Sequence, residues 1–141
     1  MEHDDYPDRY IRDILERTRR IAVVGLSANP ARASHQVFLF LQRHGYEVIG
    51  VNPGLAGQQM NGAPIYARLS DVPGQIDMVD VFRNSEAAGE TVDEALSLPS
   101  PPGVIWLQLG VRNDAAASRA EARGVDVVMN RCTKIEIGRL L

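Results

Sequence analysis

The chain has 141 residues, 45% hydrophobic and 23% charged, the balance of a soluble globular protein large enough for one core. A net charge of −3 excludes a broad basic face for nucleic acid, no apolar run is long enough to span a membrane, and the single cysteine excludes an internal disulfide. The acidic start, M-E-H-D-D-Y-P-D, has no signal-peptide core, so a cytoplasmic location is expected.

Pro7 suits the first turn of a helix, with Asp8 at its positive end, and Ile11, Ile14 and Leu15 recur at helical spacing. Residues 1–18 therefore read as an N-terminal helical extension of a single domain. A first strand follows over residues 20–25, built on the β-branched run I-A-V-V and closed by Gly25. The polar loop L-S-A-N-P leads to a helix over residues 34–44, with Val37, Phe38, Phe40 and Leu41 as its apolar stripe and Gly45 as its stop. The run Y-E-V-I-G-V is the second strand, which completes a βαβ unit.

From Asn52 to Gln75 the chain reads as a long functional loop punctuated by Gly and Pro. Ile65-Tyr66 is a candidate short edge strand and residues 69–72 a single helical turn. A third strand is expected over residues 77–82, then a helix capped by Ser85 and stopped by Pro99. The fourth strand is V-I-W-L-Q-L, residues 104–109. A helix capped by Asn113 or Asp114 ends at Arg123 with Gly124 beyond it, the fifth strand covers residues 125–129, and Asn130 caps a final amphipathic helix. There is no repeat, linker or low-complexity segment. Strands alternating with helices predict an α/β, three-layer, Rossmann-like parallel sheet of five main strands, in the order 3-2-1-4-5. A ligand then belongs outside the carboxyl ends of the strands, where the order reverses.

The first turn departs from the dinucleotide pattern. Only Gly25 of the expected glycines is present, and Ser27 stands where a second would let pyrophosphate meet bare backbone. A serine there can donate its hydroxyl to a phosphate oxygen, or serve the turn alone. NAD chemistry favours an acid at the end of the second strand to bind ribose, and this chain has Asn52 and Pro53.

These residues carry a family resemblance. V-V-G-L-S-A-N-P with Ser34, then G-V-N-P, S-D-V-P, V-D-V-F-R, W-L-Q-L-G-V and M-N-R-C-T-K-I-E, resemble the stand-alone CoA-binding domain proteins and the CoA-binding domain of the succinyl-CoA synthetase α subunit. The resemblance runs from about Arg19 to the C-terminus. It implies a Rossmann-like fold with coenzyme A over the strand ends. It places CoA phosphates on Gly25, Ser27 and Pro30, with Ser34 opening the helix. It also puts Asn52 and Pro53 near the nucleotide, and Phe82, Arg83, Leu109 and Gly110 along the ligand's border. The phosphorylated histidine of the synthetase lies in another domain, so the resemblance implies binding of CoA or an acyl-CoA rather than ligation. The alternative is an NAD(P)-binding oxidoreductase or a redox-sensing protein.

Beside the resemblance, Arg32 and His35 flank the helix start. Arg32 can serve phosphate as a charged fork or remain a solvated loop residue, and His35 reads as a surface residue. Arg83 either faces ligand or pairs with an acid such as Asp80. Trp106, mid-strand, reads as core rather than a base-stacking platform. Cys132, at a helix start beside Arg131 and Lys134, admits a mixed disulfide with the CoA thiol, against the plainer reading as a small buried residue. His3, His35 and His44 are too scattered for a metal site. A homodimer is an open expectation.

Overall fold

The computed structural model describes residues 1–141. The helices are α1 (Asp8–Arg17), α2 (Ala33–Arg43), α3 (Ser85–Leu96), α4 (Asp114–Ala122) and α5 (Thr133–Leu140). The strands are β1 (Arg20–Val24), β2 (Glu47–Val51), β3 (Gln59–Met60), β4 (Ala63–Tyr66), β5 (Met78–Val81), β6 (Val104–Leu107) and β7 (Asp126–Val128). They form one sheet, ordered β3-β4-β2-β1-β5-β6-β7. All neighbours are parallel except the β3–β4 hairpin.

The central strands are buried on both faces because a helical layer covers each side. Ile21, Val23, Met78, Val104 and Trp106 point one way, against Ile11, Ile14 and Leu15 of α1, Val37, Phe38 and Leu41 of α2, and Ile137 of α5. Ala22, Val24, Val79, Val81, Ile105 and Leu107 point the other way, against the small inner faces of α3 and α4. Tyr10 and Tyr46 fasten α1 to the sheet layer by donating to the carbonyls of Val127 and Leu15. Trp106 is fully buried and donates its Nε1–H to the Arg131 carbonyl at 2.8 Å, which makes it core.

The expected order 3-2-1-4-5 is corrected. The third main strand of the sequence reading is β5, and it pairs with β1 rather than β2. The place beside β2 is taken by β4, with β3 folded back along it. Val51 and Gly50 pair with Tyr66 and Ile65, so the anticipated edge segment is a true parallel strand that displaces its successor across β1. Counted with β4, the parallel strands run 3-2-1-4-5-6 and reverse between β1 and β5. The segment predicted as loop thus holds a hairpin, and residues 69–72 hold one short 3₁₀ turn.

Two helix caps are also corrected. Asn84, not Ser85, caps α3 by accepting from the Ala87 amide at 2.8 Å, while Ser85 Oγ accepts from the Arg112 amide. Asn130 adopts φ +58° and accepts from the Gly110 amide at 2.7 Å, so α5 begins after Cys132 instead. Asn113 caps α4 as expected.

Candidate functional site

The carboxyl ends of β1, β2, β5 and β6 border a cleft of about 740 Å³ at the point of reversal. That volume lies within the roughly 300–1,000 Å³ of small-molecule and cofactor sites. The first turn shapes it. Gly25 has φ +86°, and a Cβ built there would stand 2.5 Å from the Phe82 carbonyl oxygen. Only glycine meets both conditions, so the β1 turn and the end of β5 can touch. Leu26 is then fully buried beneath the loop.

Local hydrogen bonds fix the loop over the start of α2. The Ser27 amide donates to Ser34 Oγ at 3.0 Å, and Ser27 Oγ accepts from the Asn29 amide at 3.1 Å. Asn29 Oδ1 accepts from the Ala31 amide, and His35 Nδ1 meets the Ser27 carbonyl at 3.0 Å. His35 is therefore half-buried and part of the loop, where the sequence suggested a surface position. Both serine hydroxyls keep their own proton to donate. No side chain caps α2, no acid lies in its first turn, and the amides of Ala33, Ser34 and His35 find no acceptor in the protein.

Eight of the expected site residues line this cleft: Gly25, Ser27, Arg32, Ser34, Asn52, Phe82, Arg83 and Leu109. Pro30, Pro53 and Gly110 do not line it. Pro30 is exposed on the outer loop, Pro53 borders a separate hollow of about 290 Å³ beyond Gly25, and Gly110 turns its amide to Asn130. Asn52 acts as a fastener. Its Nδ2 donates to the Leu26 carbonyl at 2.7 Å and its Oδ1 accepts from the Gly54 amide at 2.8 Å.

The charge around the cleft is one-sided. Not one Asp or Glu lines it. Arg32 and Arg83 have no carboxylate partner, whereas Arg112 and Arg131 nearby are each paired with acids. Arg83 donates to Thr91 Oγ1 at 3.2 Å and not to Asp80, which corrects the suggested pair. Asp80 is wholly buried under the cleft. Its carboxyl accepts from Gln108 Nε2 at 2.8 Å and from Thr133 Oγ1 at 3.0 Å. Burial pushes it up to about 7, against the pull of those two hydrogen bonds.

Sequence reasoning missed Gln108 on the floor, and Gly54 and Leu55 on the β2 side. Gln108 was masked because the sequence reading ran the fourth strand through residue 109, whereas β6 ends at Leu107 and leaves Gln108 at the strand end. Cys132, half-buried, also lines the cleft. No three His, Cys, Asp or Glu side chains converge to hold a metal. No helix is long and apolar enough to cross a membrane.

Comparison with known proteins fits this geometry. Residues 19–138 match the family model described as a CoA binding domain. The protein YneT of Bacillus subtilis (strain 168) is 40% identical over 125 residues, 89% of this chain and 90% of its own. A solved structure from Thermus thermophilus is 34% identical with a TM-score of 0.89, over 96% of this chain and 100% of that one. Another, from Pyrococcus horikoshii OT3, is 34% identical with a TM-score of 0.89 over 99% of both chains. The match over residues 19–138 and the relative at 40% identity place it: this chain is a member of the CoA-binding domain family.

Proposed function

We propose that this protein binds coenzyme A or an acyl-CoA in the strand-end cleft, through the turn Gly25–Leu26–Ser27, without a reaction of its own. The carrying observation is the electrostatics of the cleft. In a chain of net charge −3, it has two arginines without acidic partners, three amides without acceptors, and no acid on its walls. Amides at a helix start and fork-shaped cations are the groups that bind a diphosphate. The diphosphate lies against Ser27 and Ser34 in this reading. The adenosine lies toward Asn52 and Leu55, and the mostly neutral pantetheine arm crosses Phe82, Gln108 and Leu109. A nicotinamide cofactor is less well served, because Asn52 stands where an acid would hold its ribose and both ends of that side chain are engaged. Binding without chemistry is favoured because no acid lines the cleft, and Asp80, bonded to the lining residue Gln108, is wholly buried and holds two protein donors.

Calorimetry with CoA tests the reading. Heat of binding is expected, and Ser27→Asp is expected to weaken it at least tenfold by setting a negative charge against phosphate. The aspartate can still accept from the Asn29 amide, so the turn survives. No heat with millimolar CoA, or tighter binding of NADH than of CoA, refutes it.

A further inference from the structure

Three buried polar groups from three elements meet under the cleft, and CoA phosphate binding uses none of them. Gln108 is 6% exposed, while Asp80 and Thr133 are wholly buried. The Gln108 backbone is fixed by donating to the Val81 carbonyl and accepting from the Val111 amide. Its Nε2 donates inward, to Asp80 Oδ1 at 2.8 Å and to Thr133 Oγ1 at 3.3 Å. Thr133 Oγ1 donates in turn to Asp80 Oδ2 at 3.0 Å. Once ionised, the carboxylate receives two donors and offers none, and that state dictates the amide orientation. Gln108 Oε1 meets no donor of the protein, and the residue lines the cleft.

We propose that Gln108 is a specificity-determining residue of the cleft: Asp80 and Thr133 hold its amide so that Oε1 accepts a hydrogen bond from an N–H or S–H donor on the neutral arm of the bound ligand. The inference rests on the CoA reading and deepens it. The phosphates are held at the α2 start, and this acceptor reads the other half of the molecule. Asp80 and Thr133 are positioning residues that reach the ligand only through Gln108. An amide at such a position discriminates strongly, because a ligand lacking the donor leaves a largely buried carbonyl oxygen unpaired.

The test measures two ligands at about pH 8, where the Asp80 carboxyl, raised to about 7 by burial, is ionised. One ligand is CoA. The other is 3′-phosphoadenosine 5′-diphosphate, which keeps the phosphates and lacks the arm. Gln108→Leu is expected to weaken CoA about tenfold, the worth of one hydrogen bond to a buried group, and to leave the armless ligand unchanged. Asp80→Asn keeps the shape but can donate to Gln108. It is expected to turn the amide over, present Nε2 to the cleft, and give the same split. The double variant Asp80→Asn/Gln108→Leu leaves no under-bonded buried charge, and so guards against a fold defect in Gln108→Leu alone.

Equal CoA affinity in wild type and variants overturns the inference while leaving CoA binding intact. Equal weakening of both ligands also overturns it, since that marks a purely structural role. Uptake of neither ligand by wild type overturns the CoA reading, and this inference falls with it.

Discussion

Asp80→Asn also probes what the buried carboxyl does to folding. Burial raises the group from its ordinary 3.8 to about 7, and the bonds from Gln108 and Thr133 only partly counter this. The unfolded chain ionises near the ordinary value. Between about pH 4 and pH 7, the folded protein therefore keeps a proton that the unfolded chain has released. The stability tied to the neutral carboxyl is full below about pH 4, falls as pH rises to about 7, and changes no further above that. The interval corresponds to about 4 kcal/mol at about 1.4 kcal/mol for each pH unit. Asparagine cannot ionise, and it can pair with both neighbours once the Gln108 amide turns over. The variant is expected to exceed wild type by up to about 4 kcal/mol at about pH 8 and to match it near pH 4. Urea unfolding at both pH values, followed by the fluorescence of the single, fully buried Trp106, reads the difference directly. At a slope of about 2 kcal/mol per molar urea, the midpoint at about pH 8 moves up by about 2 M. Comparing the two proteins at each pH cancels every other titrating group. A difference that does not change with pH, or a variant less stable than wild type at about pH 8, refutes the reasoning.

The remaining expectations concern the cleft wall. Gly25→Ala puts a Cβ 2.5 Å from the Phe82 carbonyl oxygen at a φ of +86°. It is expected to cost about 2–4 kcal/mol in chemical denaturation and to abolish CoA binding, because the two strand ends must part. Arg32→Ala is expected to leave stability within about 0.5 kcal/mol, since Arg32 is exposed and, although it sits at the N-cap of α2, its side chain makes no cap hydrogen bond. It is expected to weaken CoA about fivefold to tenfold at low ionic strength, and calorimetry should show that gap closing as salt is raised toward about 1 M. Saturating CoA at about one hundred times its dissociation constant is expected to raise the melting temperature of wild type by about 5–10 °C. No rise would contradict the calorimetric expectation.

The parts of this fold that sequence made legible are those written in local pattern. The β-branched run ending at Gly25, the apolar stripe of α2, and the turn residues Gly45 and Gly124 each specify their element without outside help. The order of strands was not local. It depended on whether Ile65 and Tyr66 pair with Gly50 and Val51, a contact decided by tertiary packing across a segment dense in Gly and Pro. Missing that one pairing moved β5 to the wrong side of β1. The caps show the same division. Asn84 and Ser85 are adjacent and equally suited to capping, and only the position of the Arg112 amide assigns the serine elsewhere. At the site, Ser27, Ser34 and Arg83 were visible because they sit in or beside a turn after a buried strand. Gln108 was hidden inside an otherwise apolar strand pattern. Its meaning came from Asp80 and Thr133, which are distant in sequence.

The clamp formed by Asn52 has a consequence for how mutational data on this protein should be interpreted. One amide group staples the loop after β1 to the neighbouring strand's exit, so the loop is already ordered before anything arrives. Truncating that side chain would leave the loop to be organised at the moment of docking, and affinity would drop by the entropy of that step. An alanine scan would then score the position as a direct contact, although no atom of it need touch the guest.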